Sequence, residues 1–172
     1  MLNIGSIVGQ TAEWTQPDVY KRDYALVSDG QEVATLRFQS AAGSLATAES
    51  ADGCWTLKRM GFWQARVTVR ACGSEDNIGV FTNDTWSAGG TLELGAGRSF
   101  LFSTNFWQTR MAVTDPSGAE LVVFNTEGLA HFGSKIEVTP QGAACPELPL
   151  LILVGWYLIA MMYLDMFLIA IS

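Results

Sequence analysis

The chain has 172 residues, of which 49% are hydrophobic and only 16% are charged, and it carries a formal net charge of −7. This length predicts one domain with a substantial core, and the apolar composition excludes extended disorder. The acidic balance excludes a general nucleic-acid binder, and residues 1–8 lack the basic start and apolar run of a secretory signal, so we expect a cytoplasmic protein.

Residues 1–145 have the pattern of β structure throughout. Short runs of β-branched, aromatic and alternating residues are separated by Gly, Asp and Asn, as is typical of strands joined by turns. Asp29-Gly30 predicts a two-residue hairpin, and the alternation around Val67 and Val69 predicts a strand with one buried face. The predicted strands lie near residues 3–8, 24–28, 31–38, 44–49, 54–59, 65–71, 77–82, 91–94, 99–104, 109–114, 119–125 and 135–139.

The end of the chain has a different pattern. Residues 148–171 are apolar on all sides apart from one charge, Asp165, and the segment is far too long for one strand. Pro149 suits the first turn of a helix. A helix without a polar face must be enclosed by protein or lie in a membrane. The sequence therefore predicts a single domain, 1–172, with strands in 1–145 and an apolar helix in 148–171.

Two placements of this helix compete. At ~1.5 Å per residue it extends about 36 Å, enough to cross a bilayer core of ~30 Å, so a tail anchor is one alternative. The charge of Asp165 and the absence of a flanking basic residue, the nearest being Lys135, argue against a span. About twelve strands remove their edges by closing into a barrel, whose lumen a helix can fill. We therefore predict a mainly β fold, a closed antiparallel barrel of about twelve strands that encloses the hydrophobic C-terminal helix.

Several segments carry a resemblance to a known family: 54–59, 90–94, 115–121 and the apolar stretch 150–164. Together they resemble the tubby C-terminal-like superfamily, which includes tubby proteins, phospholipid scramblases and plant LURP-one-related proteins. The resemblance covers most of the chain, rests on element order and hydrophobicity, and implies a twelve-stranded barrel around a central helix. Tubby domains bind phosphoinositides and scramblases move lipid in response to calcium, but none of their binding residues matches a position of this chain.

Side chains that carry chemistry are scarce. His131 is the only histidine, no nucleophile elbow or phosphate-binding loop is present, and we expect His131 to be structural. The odd number of cysteines and the absence of a C-x-x-C motif predict three free thiols, Cys54, Cys72 and Cys145, rather than disulfides or a zinc site. We therefore predict no catalytic residues, no metal, no cofactor and no enzyme activity.

One basic cluster stands out. Residues 53–74 contain no acid but include Lys58, Arg59, Arg66 and Arg70, with Arg66 and Arg70 on one strand face. The functional interpretation is a patch that binds anionic lipid headgroups beside exposed aromatic residues. The alternative is a solvated strand face whose charges pair with acidic neighbours.

The six tryptophans are expected mainly in the core, packed between sheet and helix. The pairs Phe62-Trp63 and Phe106-Trp107 recur in similar settings, and an exposed pair would mark a binding rim. The tryptophans are Trp14, Trp55, Trp63, Trp86, Trp107 and Trp156.

The leading hypothesis is a cytoplasmic, non-enzymatic β-barrel module that binds anionic phospholipid or a membrane surface peripherally, or that serves as a scaffold. The alternative is a tail-anchored membrane protein with a cytoplasmic β domain. Neither hypothesis includes a nucleic-acid partner, and the sequence names no protein partner.

Overall fold

The computed structural model describes residues 1–61, 65–84, 89–105, 107–126 and 133–172, and the chain folds as a closed antiparallel barrel of twelve strands with an apolar C-terminal helix. This confirms the predicted fold class. The strands are β1 (Ala12–Thr15), β2 (Asp23–Ser28), β3 (Gln31–Phe38), β4 (Ala46–Ser50), β5 (Gly53–Met60), β6 (Arg66–Ala71), β7 (Asn77–Asn83), β8 (Gly89–Leu94), β9 (Ser99–Thr104), β10 (Arg110–Thr114), β11 (Glu120–Thr126) and β12 (Ser134–Val138).

Each strand pairs with its neighbours in sequence, and β1 closes the barrel against β12. In this closing pair Ala12 lies opposite Ile136 and Trp14 lies opposite Ser134. Closure gives every strand two partners, which removes the unpaired edges that an open sheet would expose.

The first predicted strand is wrong. Residues Ile4–Ile7 form a 3₁₀ helix, and the side chain of Asn3 accepts a hydrogen bond of 3.1 Å from the Ser6 N–H at its start. Ile4 and Ile7 are both buried, and their spacing of three places them on one side of such a turn. The barrel begins instead at Ala12–Thr15, a run too short to stand out in the sequence.

The predicted hairpin and strand faces are confirmed. Asp29 and Gly30 both have positive φ, 50° and 74°, as a tight two-residue turn between twisted strands requires. In β6, Val67 and Val69 are buried whereas Arg66 is exposed.

The C-terminal helix α2 runs from Leu148 to Ala170, within one residue of its predicted bounds, and a short helix, α1 (Pro140–Ala143), precedes it. The indole of Trp156 stacks on Trp14 of β1, with ring centroids 5.5 Å apart. The neighbouring ring of Tyr157 stacks on Phe38 of β3 at the same distance. Most of α2 is therefore enclosed by the strands, which solvate its apolar surface.

Two contacts fix the position of α2 inside the barrel. Gly155 faces the ring of Phe124 so closely that an added Cβ would lie 2.4 Å from the ring Cζ. The Tyr157 hydroxyl donates a 2.6 Å hydrogen bond to the carbonyl oxygen of Ser44, and burial raises the pKa of Tyr157 to about 12. Both contacts form only when α2 lies at this depth inside the barrel.

The two ends of the barrel differ. We call the end where the odd-numbered strands finish the mouth, and the opposite end the base. At the base, Arg98 forms two hydrogen bonds with Glu147, just before α2, with Nε–Oε1 at 2.7 Å and Nη2–Oε2 at 2.9 Å. The N-terminal 3₁₀ helix lies there too, since the Ile4 N–H donates to Asp52 in the β4–β5 connection. The helix α2 therefore enters at the base and leaves at the mouth.

The last turn of α2 extends beyond the strands. Residues 167–171, which we call the apolar tail, are exposed, and they include Phe167, Leu168 and Ile169. Within the described residues, α2 is the one helix long and apolar enough to cross a membrane by length and composition, and 56% of its most apolar window is buried inside the protein.

The prediction of three free thiols is wrong for one pair. Cys54 and Cys72 form a disulfide, with Cα atoms 5.4 Å apart, whereas Cys145 is free. They are opposite one another because they lie one position beyond the Trp55–Ala71 pair of the β5–β6 hairpin. Their separation of 18 residues does not reveal this pairing, which depends on the register.

The tryptophan prediction is confirmed for Trp14 and Trp156, which are fully buried, and Trp55 packs partly buried against the core. It is wrong for Trp107, which is 77% exposed. The predictions for Phe62, Trp63, Trp86, Phe106 and His131 fall outside the described residues.

Candidate functional site

The predicted basic cluster is divided between the two faces of the barrel wall. Lys58, Arg66 and Arg70 lie on the outer face of the β5–β6 hairpin, where Lys58 is opposite Thr68 between the two arginines. Arg59 has the opposite phase and faces the interior at the mouth. The structure therefore brings three of the four residues together on one surface.

Arg59 forms an ion pair with the charge that stood out in the apolar helix. Its guanidinium binds Asp165 with two hydrogen bonds, Nη1–Oδ2 at 2.7 Å and Nη2–Oδ1 at 3.0 Å. Hydrogen bonding to Asp165 raises the pKa of Arg59. This pair lies where α2 leaves the barrel, and it explains how a helix otherwise apolar over its whole length carries an acid at this position.

The outer basic residues are only lightly engaged. Arg70 Nε donates a 2.7 Å hydrogen bond to the side-chain oxygen of Asn77. Among the residues that the structure describes, Lys58 and Arg66 form no ion pair. The charges of Lys58 and Arg66 are therefore solvent-accessible and available to an anionic surface.

The mouth is rich in exposed apolar and aromatic side chains. Val19 and Tyr20, in the β1–β2 connection, are 72% and 94% exposed, and Trp107 belongs to the β9–β10 connection. Val19 lines the same cleft as Phe167 and Leu168 of the apolar tail. Large exposed apolar surfaces on soluble domains mark sites of interaction with proteins, ligands or membranes.

Charge is distributed unevenly between the two ends. We divide the chain into two halves. The mouth half contains the connections at the mouth, the C-terminal end of α2 and, from each strand, the three residues nearest the mouth. All other residues belong to the base half. Most basic residues belong to the mouth half, and Arg70 and Arg98 are the exceptions. The basic residues of the mouth half are Lys21, Arg22, Arg37, Lys58, Arg59, Arg66, Arg110 and Lys135.

Most acidic residues occupy the base half, so the negative net charge of the chain is concentrated away from the mouth. Such a separation orients a protein in front of a charged surface. The described acidic residues of the mouth half are Glu13, Asp18, Asp23, Asp84 and Asp165. Those of the base half are Asp29, Glu32, Glu49, Asp52, Glu75, Asp76, Glu93, Asp115, Glu120, Glu137 and Glu147.

Two open clefts flank α2 at the mouth. One, of 330 Å³, has the Arg59–Asp165 pair at its polar side and Met161, Met162 and Met166 along the helix. The other, of 340 Å³, lies beside the β1–β2 connection. Both are largely apolar, and methionine side chains adapt readily to irregular apolar partners.

A third cleft, of 450 Å³, lies at the base beside Cys145. The thiol donates to Glu147 Oε2 at 3.2 Å, and burial raises the pKa of Cys145, which disfavours the nucleophilic thiolate. Hydrogen bonds from Arg98 lower the pKa of Glu147 to about 2. This arrangement stabilises the start of α2 and does not activate the thiol.

Among the described residues, no three or more His, Cys, Asp or Glu side chains form a group that could hold a metal ion. No protein-family model, no curated protein and no solved structure gives a significant match to the chain. The resemblance to the tubby C-terminal-like superfamily therefore stays a prediction.

The exposed apolar surface at the mouth is not among the sites predicted from the sequence. Val19 and Tyr20 are followed directly by the basic pair Lys21-Arg22, and this combination was a signal in the sequence. The continuation of apolar residues beyond Asp165 was a second one. The closure of the barrel around α2 brings residues 19–22 and the apolar tail together at the mouth.

Proposed function

We propose that the protein is a non-enzymatic β-barrel module that docks on the surface of an anionic membrane with its mouth facing the lipid. The apolar tail carries this proposal, because it presents Phe167, Leu168 and Ile169 to solvent at the end of an otherwise enclosed helix. A surface of this kind is stable in contact with the acyl region of a bilayer.

Insertion of the apolar tail supplies the hydrophobic part of binding. Each large side chain that moves fully from water to an apolar phase contributes about 1.5–3 kcal/mol. Tyr20 and Trp107 lie at the same end of the barrel. Tyrosine and tryptophan prefer the headgroup region of bilayers, so these two side chains suit the boundary of an inserted tip.

The basic residues supply the electrostatic part. Each lysine or arginine close to an anionic leaflet contributes about 1 kcal/mol, and the effect fades within a Debye length. Lys21 and Arg66 lie at the mouth, and Lys58 lies two residues before the mouth end of β5. The acidic base half points away from the lipid in this orientation, which limits its repulsion.

Liposome flotation tests the proposal, with vesicles of phosphatidylcholine alone and with added phosphatidylserine. We expect binding to the anionic vesicles and a loss of about tenfold or more for the pair Phe167→Ser and Ile169→Ser, which removes apolar contact. Leu101→Ser is the matched control, because Leu101 is exposed on the barrel wall. Unchanged binding of the tail variant, or no binding of the parent protein, would refute mouth-first docking.

The orientation has its own test on the outer face of β6. Arg66 and Arg70 are four residues apart, about 13 Å along the strand, with Arg66 at the mouth. We expect Arg66→Ser to weaken binding to anionic vesicles more than Arg70→Ser does. Equal losses would instead favour a barrel that lies with this wall against the membrane, as a patch of Lys58, Arg66 and Arg70 would require.

The tail-anchor alternative has one observation in its favour, the length and mean hydropathy of 2.0 of α2. A span would require the helix to withdraw from the barrel and to break the contacts of Trp156, Tyr157 and Asp165 with the strands. Washing membranes with alkaline carbonate separates the two. A docked barrel is released, whereas an anchored protein remains until detergent is added.

A cytoplasmic location and a scaffold role stay predictions. The Cys54–Cys72 disulfide weighs against the location, because disulfides persist mainly in oxidising compartments. Alkylation of free thiols in freshly lysed cells distinguishes the two, since a reduced cytoplasmic protein reacts at all three cysteines and the disulfide-bonded form at Cys145 alone.

A further inference from the structure

The cleft beside the β1–β2 connection has a volume of 340 Å³, and we call it the Arg22 cleft. Ligand sites in proteins commonly have volumes of about 300–1,000 Å³ and mainly apolar walls with a few placed polar groups. Its apolar lining includes Val19, Ala160, Leu164, Phe167 and Leu168. Its polar groups include Arg22 and Gln16.

Arg22 is held in a fixed position in this cleft. Its Nη1 donates to the carbonyl oxygens of Gly43 at 2.7 Å and Ser40 at 3.3 Å. The guanidinium carbon lies 3.6 Å from the centroid of the Phe38 ring, and Nη2 has Met161 Sδ as a neighbour at 3.6 Å. Arg22 also forms a side-chain hydrogen bond with the hydroxyl of Tyr24. Sulfur is a weak acceptor and the tyrosine hydroxyl is uncharged, so an anionic group forms the stronger, charge-assisted hydrogen bond with this guanidinium.

The charge of Arg22 is not balanced by the protein. Among the described residues no Asp or Glu forms an ion pair with Arg22, whereas the nearby Arg59 is matched by Asp165. Burial lowers the pKa of Arg22, whereas the neighbouring Tyr24 acts in the opposite direction. A half-buried cation between apolar walls is most stable when an anion binds it, because the charge-assisted hydrogen bond replaces lost hydration.

Gln16 adds a second polar requirement. Its Nε2 donates a 2.6 Å hydrogen bond to the Lys21 carbonyl oxygen, but its Oε1 is buried and has no hydrogen-bond donor among the described residues. A buried acceptor without a donor is costly. A ligand with a hydroxyl group beside its anionic group would satisfy it.

We propose that the Arg22 cleft binds one lysophospholipid, with its phosphate on Arg22, its glycerol hydroxyl donating to Gln16 Oε1, and its single acyl chain along Leu164, Phe167 and Leu168. The occupant is a single-chain anionic lipid because the lining of the cleft includes one cation and one apolar face of α2. This site goes beyond the proposed docking, since it can be filled from solution without a bilayer.

Calorimetric titration of the whole protein with lauroyl lysophosphatidic acid below its micelle concentration tests the site. We expect one molecule bound per chain, weaker binding of dodecyl phosphate, which lacks the hydroxyl, and binding at least about tenfold weaker for uncharged monolauroyl glycerol. Monolauroyl glycerol binding as tightly as the lysophospholipid would overturn the role of Arg22, and equal binding of dodecyl phosphate would overturn that of Gln16.

Two variants locate the site. Arg22→Gln is expected to weaken lysophosphatidic acid binding about tenfold or more, whereas the adjacent exposed Lys21→Gln, with the same loss of charge, changes it less than about twofold. Because Arg22 also holds the β3–β4 connection, Ala42→Trp is the second variant. Ala42 is an exposed residue that lines the cleft. A tryptophan at this position obstructs the acyl chain of the ligand and leaves Arg22 unchanged.

Unchanged binding in Ala42→Trp, or binding of Arg22→Gln equal to that of the parent, overturns the proposal. The two proposals fail separately. Anionic vesicles that capture the protein while the titration shows no binding refute the lysophospholipid site alone, and the reverse result refutes docking alone.

Discussion

Gly155 offers the most direct measurement of whether α2 is enclosed by the strands. An alanine Cβ at this position would lie 2.4 Å from Cζ and 2.5 Å from Cε2 of Phe124, well inside van der Waals contact. The Phe124 ring is fully buried, so it has no open space into which to move. Gly155→Ala therefore forces either the ring or the helix to shift.

Two opposing effects set the size of the change. Alanine is about 1 kcal/mol better than glycine inside a helix. Overpacking of a well-packed core costs about 1–3 kcal/mol, and here it also displaces Phe124. We therefore expect Gly155→Ala to lower the free energy of unfolding by about 1 kcal/mol. In a lipid-exposed helix, where no Phe124 ring opposes the methyl group, the same change would be neutral or stabilising.

The measurement is chemical denaturation followed by tryptophan fluorescence, in a double-mutant cycle with Phe124→Leu. The smaller leucine makes room for the methyl group, so Gly155→Ala should become neutral or stabilising in that background. Gly5→Ala is the control, because its Cβ would meet Asn3 only at an ordinary 3.6 Å. An equal effect of Gly155→Ala in both backgrounds would refute the enclosed position of α2.

Three further changes test single contacts. The pKa of Glu147 lies at about 2, below its ordinary 4.5, because it pairs with half-exposed Arg98. This pairing therefore stabilises the fold above pH 4.5, and the stabilisation is lost as the pH falls towards 2. We expect Glu147→Gln to lower the free energy of unfolding by about 1–2 kcal/mol at pH 7 and to change it very little at pH 2. Replacing Cys54 and Cys72 by serine should cost about 3 kcal/mol for a loop of this length. Tyr157→Phe should cost about 1 kcal/mol. Thermal and urea unfolding measure all three.

Each change has a matched control. Glu93→Gln, at an exposed residue of β8, should not reproduce the pH-dependent difference, and a difference that persists at pH 2 contradicts the assigned role of Glu147. Cys145→Ser leaves the disulfide intact, whereas reduction of the parent protein should reproduce the double serine variant. Tyr20→Phe, at an exposed tyrosine, should leave stability unchanged, and an equal loss there would contradict the Tyr157 hydrogen bond.

The barrel could be predicted because its information is local. Turn residues such as Asp29-Gly30 divide the chain into short strands, and the apolar helix is visible because no face of it is polar. Ala12–Thr15 is too short to be recognised as the first strand from the sequence. Residues 3–8 have a strand-like pattern unless the Asn3 cap and the spacing of Ile4 and Ile7 are considered.

The inward-facing position of Arg59 can be predicted from the sequence. Trp55 and Leu57 are apolar at alternate positions of β5, and Arg59 continues that phase towards the interior. Proximity along the chain groups Arg59 with Lys58, Arg66 and Arg70, but it ignores the two faces of a strand. Its partner Asp165 is 106 residues away, and only the closed barrel places the two together.

The length of α2 relative to the barrel connects the fold with the proposed docking. The strands bury the helix up to the Arg59–Asp165 pair, which lies at the boundary between protein and solvent at the mouth. The apolar tail beyond that pair is exposed, so it contributes little to filling the lumen. Because the tail contributes exposed apolar surface and little to the core, substitutions at Phe167 and Ile169 should affect lipid binding with little loss of stability, whereas substitutions at Gly155 should do the opposite. This separation of effects along one helix is what distinguishes a docking tip from an incompletely buried core.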